Sequence, residues 1–162
     1  MKILKFDPNF QTKTENFIKE IFKEMNWQTT YLYGIDNIQN TFGGNRDIFL
    51  IVVDKGQVKG CVGLKKLSKE NALIKRFYLS SSLRGKGFAQ NLFKKLVTFA
   101  LNKGYKYLVL DTQSDNYRAQ AFYEKTGFKT YMPKPQKKWP ESEHPEIFKY
   151  YQYNLEKNRD NG

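Results

Sequence analysis

The block from Ala72 to Asp111 constrains the fold of this chain more than any other part of it. It opens on a strand-like run, Ala72-Leu73-Ile74-Lys75-Arg76-Phe77-Tyr78-Leu79, crosses a loop of serines and glycines, and continues into Ala89, Leu92, Phe93, Leu96, Val97 and Ala100. Those last positions recur at helical spacing, so they form one apolar stripe that must pack on a sheet. Asn102-Lys103-Gly104 has the composition of a helix C-terminus, and Tyr105 to Asp111 reads as the next strand. Strand, helix and strand in this order make a βαβ unit. Its two strands run parallel and its crossover is right-handed, which places the chain in the α/β class.

The loop inside that unit, Leu79-Ser80-Ser81-Ser82-Leu83-Arg84-Gly85-Lys86-Gly87-Phe88-Ala89, reads as an anion cradle. Gly85, Gly87 and Ala89 let backbone approach a ligand, and the helix that follows presents unpaired N–H groups and a positive dipole end. Arg84 and Lys86 add full charges, so a phosphate or pyrophosphate is the natural guest; the plain alternative is an ordinary glycine turn into a helix. Spacing excludes two familiar nucleotide sites. There is no G-x-x-x-x-G-K-[ST], and a dinucleotide fingerprint needs a glycine where Gln90 stands and an acid about 20 residues on, earlier than Asp111. A Rossmann fold would also put its glycine turn after the first strand of the unit, whereas several elements precede this one.

A length of 162 residues suffices for one hydrophobic core without disulfides or metal. A single domain over residues 1–156 is expected, with a flexible tail over 157–162. The longest apolar run, Ile48 to Val53, is far too short to cross a bilayer, and the N-terminal residues lack the apolar stretch of a secretory signal, so no membrane partner and a cytoplasmic location are expected. With one cysteine, Cys61, and one histidine, His144, no internal disulfide or Cys/His zinc site can be assembled, and no metal site is expected. The formal charge of +12 is spread along the chain without a basic block or a nucleic-acid-binding motif. It suits a small polyanionic cofactor as well as a phosphate backbone, and nucleic acid is therefore disfavoured as a partner.

The flanks read as follows. Met1 to Phe6 is a short strand stopped by Asp7-Pro8-Asn9; Thr12 and Glu15 have capping-box spacing before a helix with Ile18, Ile21, Phe22 and Met25 on one face. Trp27 to Phe42 is mixed, with a short helix around Ile35 to Thr41. Asp47 to Asp54 is apolar on both faces, as in a central strand. Asp54-Lys55-Gly56-Gln57 then turns the chain into a returning strand, with Val58, Gly60, Val62 and Leu64 on one face and Cys61, half-buried, on the other. Beyond Asp111, a loop over Thr112 to Asn116 leads to a helix over Tyr117 to Lys125, a strand over Phe128 to Met132, and a proline-rich loop from Pro133 to Pro145 whose length and aromatic content suit binding. A tyrosine-rich strand, Ile147 to Leu155, ends the domain and offers an edge through which two copies could pair as a homodimer.

Two segments together resemble the GNAT superfamily of N-acetyltransferases. Arg84-Gly85-Lys86-Gly87-Phe88-Ala89 matches that family's acetyl-CoA signature, [RQ]-x-x-G-x-[GA], between strand and helix. Asn116-Tyr117-Arg118-Ala119-Gln120-Ala121-Phe122-Tyr123-Glu124-Lys125-Thr126-Gly127-Phe128 matches N-x-x-A-x-x-F-Y-x-x-x-G-F, at the usual distance from the first. Residues 47 to 132 carry the likeness. It implies an α/β (α+β) fold: a mixed, mostly antiparallel sheet of six to seven strands with a central splayed parallel pair, flanked by about four helices.

The resemblance also implies chemistry. Acetyl-CoA would be held by the amides of Gly85, Lys86, Gly87, Phe88 and Ala89 beside Arg84, by the strand edge at Phe77, Tyr78 and Leu79, and by Asn116 and Phe122. A bulge at that strand edge would aim one amide at the thioester carbonyl. Tyr123 would be the general acid that protonates the departing thiolate. Where many relatives carry a glutamate two places before a Lys-Arg pair, this chain has Leu73, so the base is Asp111, Glu143, His144 or a water chain. The activity implied is acetyl transfer to a primary amine, with a small molecule preferred to a protein amine as acceptor. The alternative is a catalytically weak acyl-CoA-binding sensor or interaction module of the same fold. Trp27, Tyr31, Tyr33 and Trp139 suit either an apolar or aromatic acceptor or packing.

Overall fold

A computed structural model of the chain describes residues 1–159. Seven strands, β1 (Lys2–Lys5), β2 (Ile48–Asp54), β3 (Gln57–Lys66), β4 (Asn71–Leu79), β5 (Tyr107–Gln113), β6 (Lys129–Thr130) and β7 (Phe148–Asn154), hydrogen-bond in the order β1-β2-β3-β4-β5-β7-β6. The helices are α1 (Gln11–Met25), α2 (Ile38–Thr41), α3 (Phe88–Asn102) and α4 (Tyr117–Thr126). This is the mixed sheet with one parallel pair that the sequence predicts. The chain divides into two compact units, Met1–Lys65 with Ile74–Leu96, and Lys66–Leu73 with the residues from Val97 on.

In the first unit β1 pairs antiparallel with β2, and β2 with β3, the last two joined by the expected turn. Lys55 (φ 50°) and Gly56 (φ 77°) are both left-handed, the conformation that matches a two-residue hairpin to the twist of its strands. Ile18 and Phe22 of α1 pack with Phe6, Ile35, Ile38, Phe42, Phe49, Ile51 and Cys61 into one core. Each fully buried large apolar side chain there contributes about 1.5–3 kcal/mol. Cys61 is wholly buried rather than half-buried, because β3 is covered on both faces from Gly60 to Leu64. The capping box at Thr12 and Glu15 does not form. Asp7 instead caps a short turn over Pro8–Phe10, and α1 starts at Gln11. The Gln11 amide donates to the Ile35 carbonyl at 2.8 Å and accepts the Ile38 N–H at 3.0 Å, tying α1 to the approach to α2.

In the second unit β4 runs parallel to β5 from Asn71↔Tyr107 to Leu73↔Val109, and β5 runs antiparallel to β7 along its whole length. β5 starts and ends two residues later than expected, since the N–H of Tyr105 still closes the end of α3 on the Ala100 carbonyl. β6 is reduced to Lys129–Thr130. β7 lies between β5 and β6, and β6 pairs with its second edge at Gln152 and Tyr151. The proline-rich loop is folded on itself: Gln136 bridges to Trp139, a short turn covers Pro140–Glu143, and Trp139 is fully buried. Lys157 to Arg159 are hydrogen-bonded into a turn, and the remainder of the expected tail, 160–162, lies outside the described residues.

Two outcomes follow from the first unit's core. A Cβ at Gly63 would lie 2.4 Å from Phe42 Cε1 and 2.9 Å from Phe49 Cδ2, so Gly63→Ala is expected to cost about 1–3 kcal/mol in urea unfolding. An unchanged midpoint would contradict that packing. Burial pushes the Cys61 thiol far up, with the Arg76 charge only partly offsetting it. Iodoacetamide at pH 8 should therefore leave the folded protein unlabelled and label it once urea unfolds it.

Candidate active site

β4 leads directly into the glycine loop. Gly85 (φ 78°) and Gly87 (φ 86°) are both left-handed, and a Cβ at either would meet nothing within 4 Å. The space in front of this backbone is open, and the conformation disfavours any other residue type. The first bond of α3 runs from the Asn91 N–H to the Gly87 carbonyl at 3.1 Å. The amides of Phe88, Ala89 and Gln90 precede it and belong to the helix end that carries the positive dipole. Lys86 is exposed, and Arg84 Nη1 lies 3.3 Å from Glu24 Oε1 at the end of α1. The residues present therefore fit a pyrophosphate: amides at a helix N-terminus, open space at two left-handed glycines, and two cations.

Phe77, Tyr78 and Leu79 are half-buried at the end of β4. The Tyr78 ring packs on Phe22 (6.2 Å between centroids) and Trp27 (5.8 Å), and the Ser80 N–H donates to the Lys59 carbonyl at 2.8 Å, which fixes the strand's exit. One residue upstream of this stretch, Arg76 has φ 57°. A left-handed conformation costs a residue with a long side chain about 1–2 kcal/mol.

The second unit holds the other motif. Asn116 caps α4, its Oδ1 accepting the Ala119 N–H at 3.3 Å, and Gly127 (φ 116°) closes the helix on Tyr123 and Glu124 carbonyls. Phe122 is half-buried. Tyr123 is 8% exposed, its ring packed against Phe122, Phe128 and Tyr151 at 5.4–5.9 Å between centroids. The three proposed bases differ sharply. Asp111 is half-buried on β5, and the buried Trp139 indole donates to its Oδ2 at 2.6 Å. Burial, and then the Asp111 charge, pushes the Tyr150 phenol up to about 12, so it stays protonated and donates to the Glu141 carbonyl. Glu143 is exposed, and His144, also exposed, has Nδ1 3.1 Å from Glu146 Oε1.

Two residues with structural weight, one in each unit, escaped sequence reasoning. Trp139 is a clamp on Asp111 rather than the wall of an open loop; a loop tryptophan gives no sign of a partner 28 residues away. Arg76 is 6% exposed and donates to the carbonyls of Tyr31 and Tyr33. Its only signal was a charge inside an apolar strand. Among the described residues, no group of three or more His, Cys, Asp or Glu side chains is arranged to hold a metal, and no helix is long and apolar enough to cross a membrane.

Comparison with known proteins agrees with this layout. An N-acetylaspartate synthetase of Xenopus tropicalis is 34% identical over 82 residues, half of this chain, and the match spans 30% of that protein's length. An acetyltransferase of the GNAT family from Staphylococcus aureus superposes with a TM-score of 0.80 at 19% identity, over 95% of this chain and 98% of that one. An aminoglycoside 6'-N-acetyltransferase complexed with coenzyme A superposes with a TM-score of 0.70 at 13% identity, over 96% and 97%. The family description "Acetyltransferase (GNAT) family" matches residues 14–128, from within α1 to just past α4, and the chain belongs to that family.

Proposed function

We propose that this chain is an acyl-CoA-dependent N-acyltransferase that moves acetyl from acetyl-CoA to a primary amine by direct attack in a ternary complex. The observation that carries the reading is the pair of left-handed glycines with open space before them, at the N-terminus of α3. The bound thioester supplies the acyl group: its carbonyl carbon takes the amine nitrogen as the C–S bond breaks, so no enzyme nucleophile is required.

Each protein group has a defined task in this reading. Amides of Gly85 to Ala89, with Arg84 and Lys86, bind the pyrophosphate. A main-chain amide of Phe77 to Leu79 donates to the thioester carbonyl, a kind of contact worth about 3 kcal/mol in other acyl transfers. Asn116 and Phe122 contact the pantetheine arm. Tyr123 gives its proton to the leaving thiolate. Asp111 takes the ammonium proton, a role supported by its half-buried position and the indole N–H that orients one carboxylate oxygen. His144 is a weaker choice, because Glu146 occupies its Nδ1 at the surface.

A small-molecule amine is the acceptor favoured here. One relative is named for N-acetylaspartate and one structural neighbour for an aminoglycoside amine, both small molecules. A cytoplasmic location agrees with this donor.

Coenzyme A release followed over a panel of amines tests the reading. Tyr123→Phe should lower turnover by about a hundredfold or more while acetyl-CoA affinity stays nearly unchanged; unaltered turnover would remove Tyr123 from the mechanism. Gly87→Ala adds a side chain to a left-handed position and should weaken acetyl-CoA binding by about tenfold, read by calorimetry. Tight acetyl-CoA binding with no turnover on any amine would instead favour the sensor module.

A further inference from the structure

Arg76 is bonded more completely than a residue serving only the strand would need. Its guanidinium donates through Nη2 to the Tyr31 carbonyl at 2.8 Å and the Tyr33 carbonyl at 2.6 Å. The same group lies over the Tyr33 ring at 5.1 Å and the Phe22 ring at 5.7 Å. Its own carbonyl accepts the buried Cys61 thiol at 3.1 Å. Both the side chain and the main chain of this residue are therefore held from separate directions.

The left-handed backbone explains how the side chain reaches its partners. In a regular strand, consecutive residues point to opposite faces. Here Lys75 donates to the Tyr33 hydroxyl and lies over the Tyr33 ring at 4.4 Å, while Arg76 reaches the same ring. The φ of 57° at Arg76 breaks the alternation and brings two successive cationic side chains to one aromatic residue. The segment they grip has little regular structure of its own: a turn over Thr29–Tyr31 and then irregular chain up to α2. Two of its carbonyls would lack these charged donors without Arg76.

We propose that Arg76 is a positioning residue that fixes residues 29–33 against β4, so that this segment forms a rigid wall for the amine acceptor next to the strand that carries Phe77 to Leu79. The proposal rests on the acyltransferase reading for its acceptor role, but not for the pin itself. The pin acts on the backbone carbonyls of Tyr31 and Tyr33, so the main chain sets the position of the wall. Such a wall admits acceptors by shape and leaves the coenzyme loop, on the far side of Ser80, to bind its phosphates separately.

The test uses the full chain with Arg76→Met, which keeps an apolar stem and removes every donor, and Arg76→Lys, which keeps a charge but not the fork. Amide hydrogen exchange needs no activity. It should rise about tenfold or more over residues 28–34 in both variants and stay unchanged over α3. Kinetics then read the role: KM for the best acceptor should rise about ten- to a hundredfold, with acetyl-CoA affinity within about threefold of wild type. Unchanged exchange over 28–34 would overturn the pin. Faster exchange with an unchanged acceptor KM, or a parallel loss of acetyl-CoA affinity, would overturn the acceptor role. A wild-type chain that binds acetyl-CoA but acylates nothing would overturn the acyltransferase reading and the acceptor role together, with exchange still deciding the pin. Should Arg76→Met fail to fold, Arg76→Lys carries both measurements.

Discussion

Parallel pairing of β4 with β5 is the constraint on which the rest of the structure depends. Parallel neighbours cannot be joined by a tight turn, so the chain must travel back along the strand before it can pair again. It does so through α3, and the turn into α3 falls at the carboxyl end of β4. That place combines the end of a strand with the positive end of a helix, which is where α/β proteins bind anions. Gly85 and Gly87 stand there in left-handed conformations with open space in front of them.

Each unit also has a place where local rules are broken and something offsets the break. A buried arginine in an apolar strand and a left-handed residue without a glycine are each unfavourable taken singly. At Arg76 they occur together, and each supports the other: the backbone conformation aims the side chain, and carbonyls and rings then stabilise the charge. Asp111 and Trp139 follow a similar logic in the second unit. The indole N–H needs a partner once the ring is buried, and the carboxylate supplies it.

Much of this was legible in the sequence because it is local. The hairpin at Lys55-Gly56, the apolar stripe of α3 and the helix that starts at Tyr117 each depend on residues within a few positions of one another. Capping was less certain: Thr12 and Glu15 had the right spacing, yet Pro8 and Asp7 started a turn earlier and Gln11 was drawn to Ile35 and Ile38. Strand ends failed for a related reason. β5 extends to Gln113 because β7 offers a partner there, and β6 stops at Thr130 although its composition would carry it further.

The amino-acid sequence by itself determined the class of fold, the glycine loop and its helix, and membership of a family, since these rest on periodicity, turn chemistry and the spacing of residues close in the chain. Only the tertiary structure decided that β7 is an interior strand, that Trp139 faces Asp111, that Cys61 is wholly buried, and that Arg76 holds a segment more than 40 residues away. Those facts are pairings between distant residues. Hydrophobic pattern announces that a side chain will be buried, but a buried hydrogen bond is chosen by whichever donor and acceptor the packed chain brings within about 3 Å.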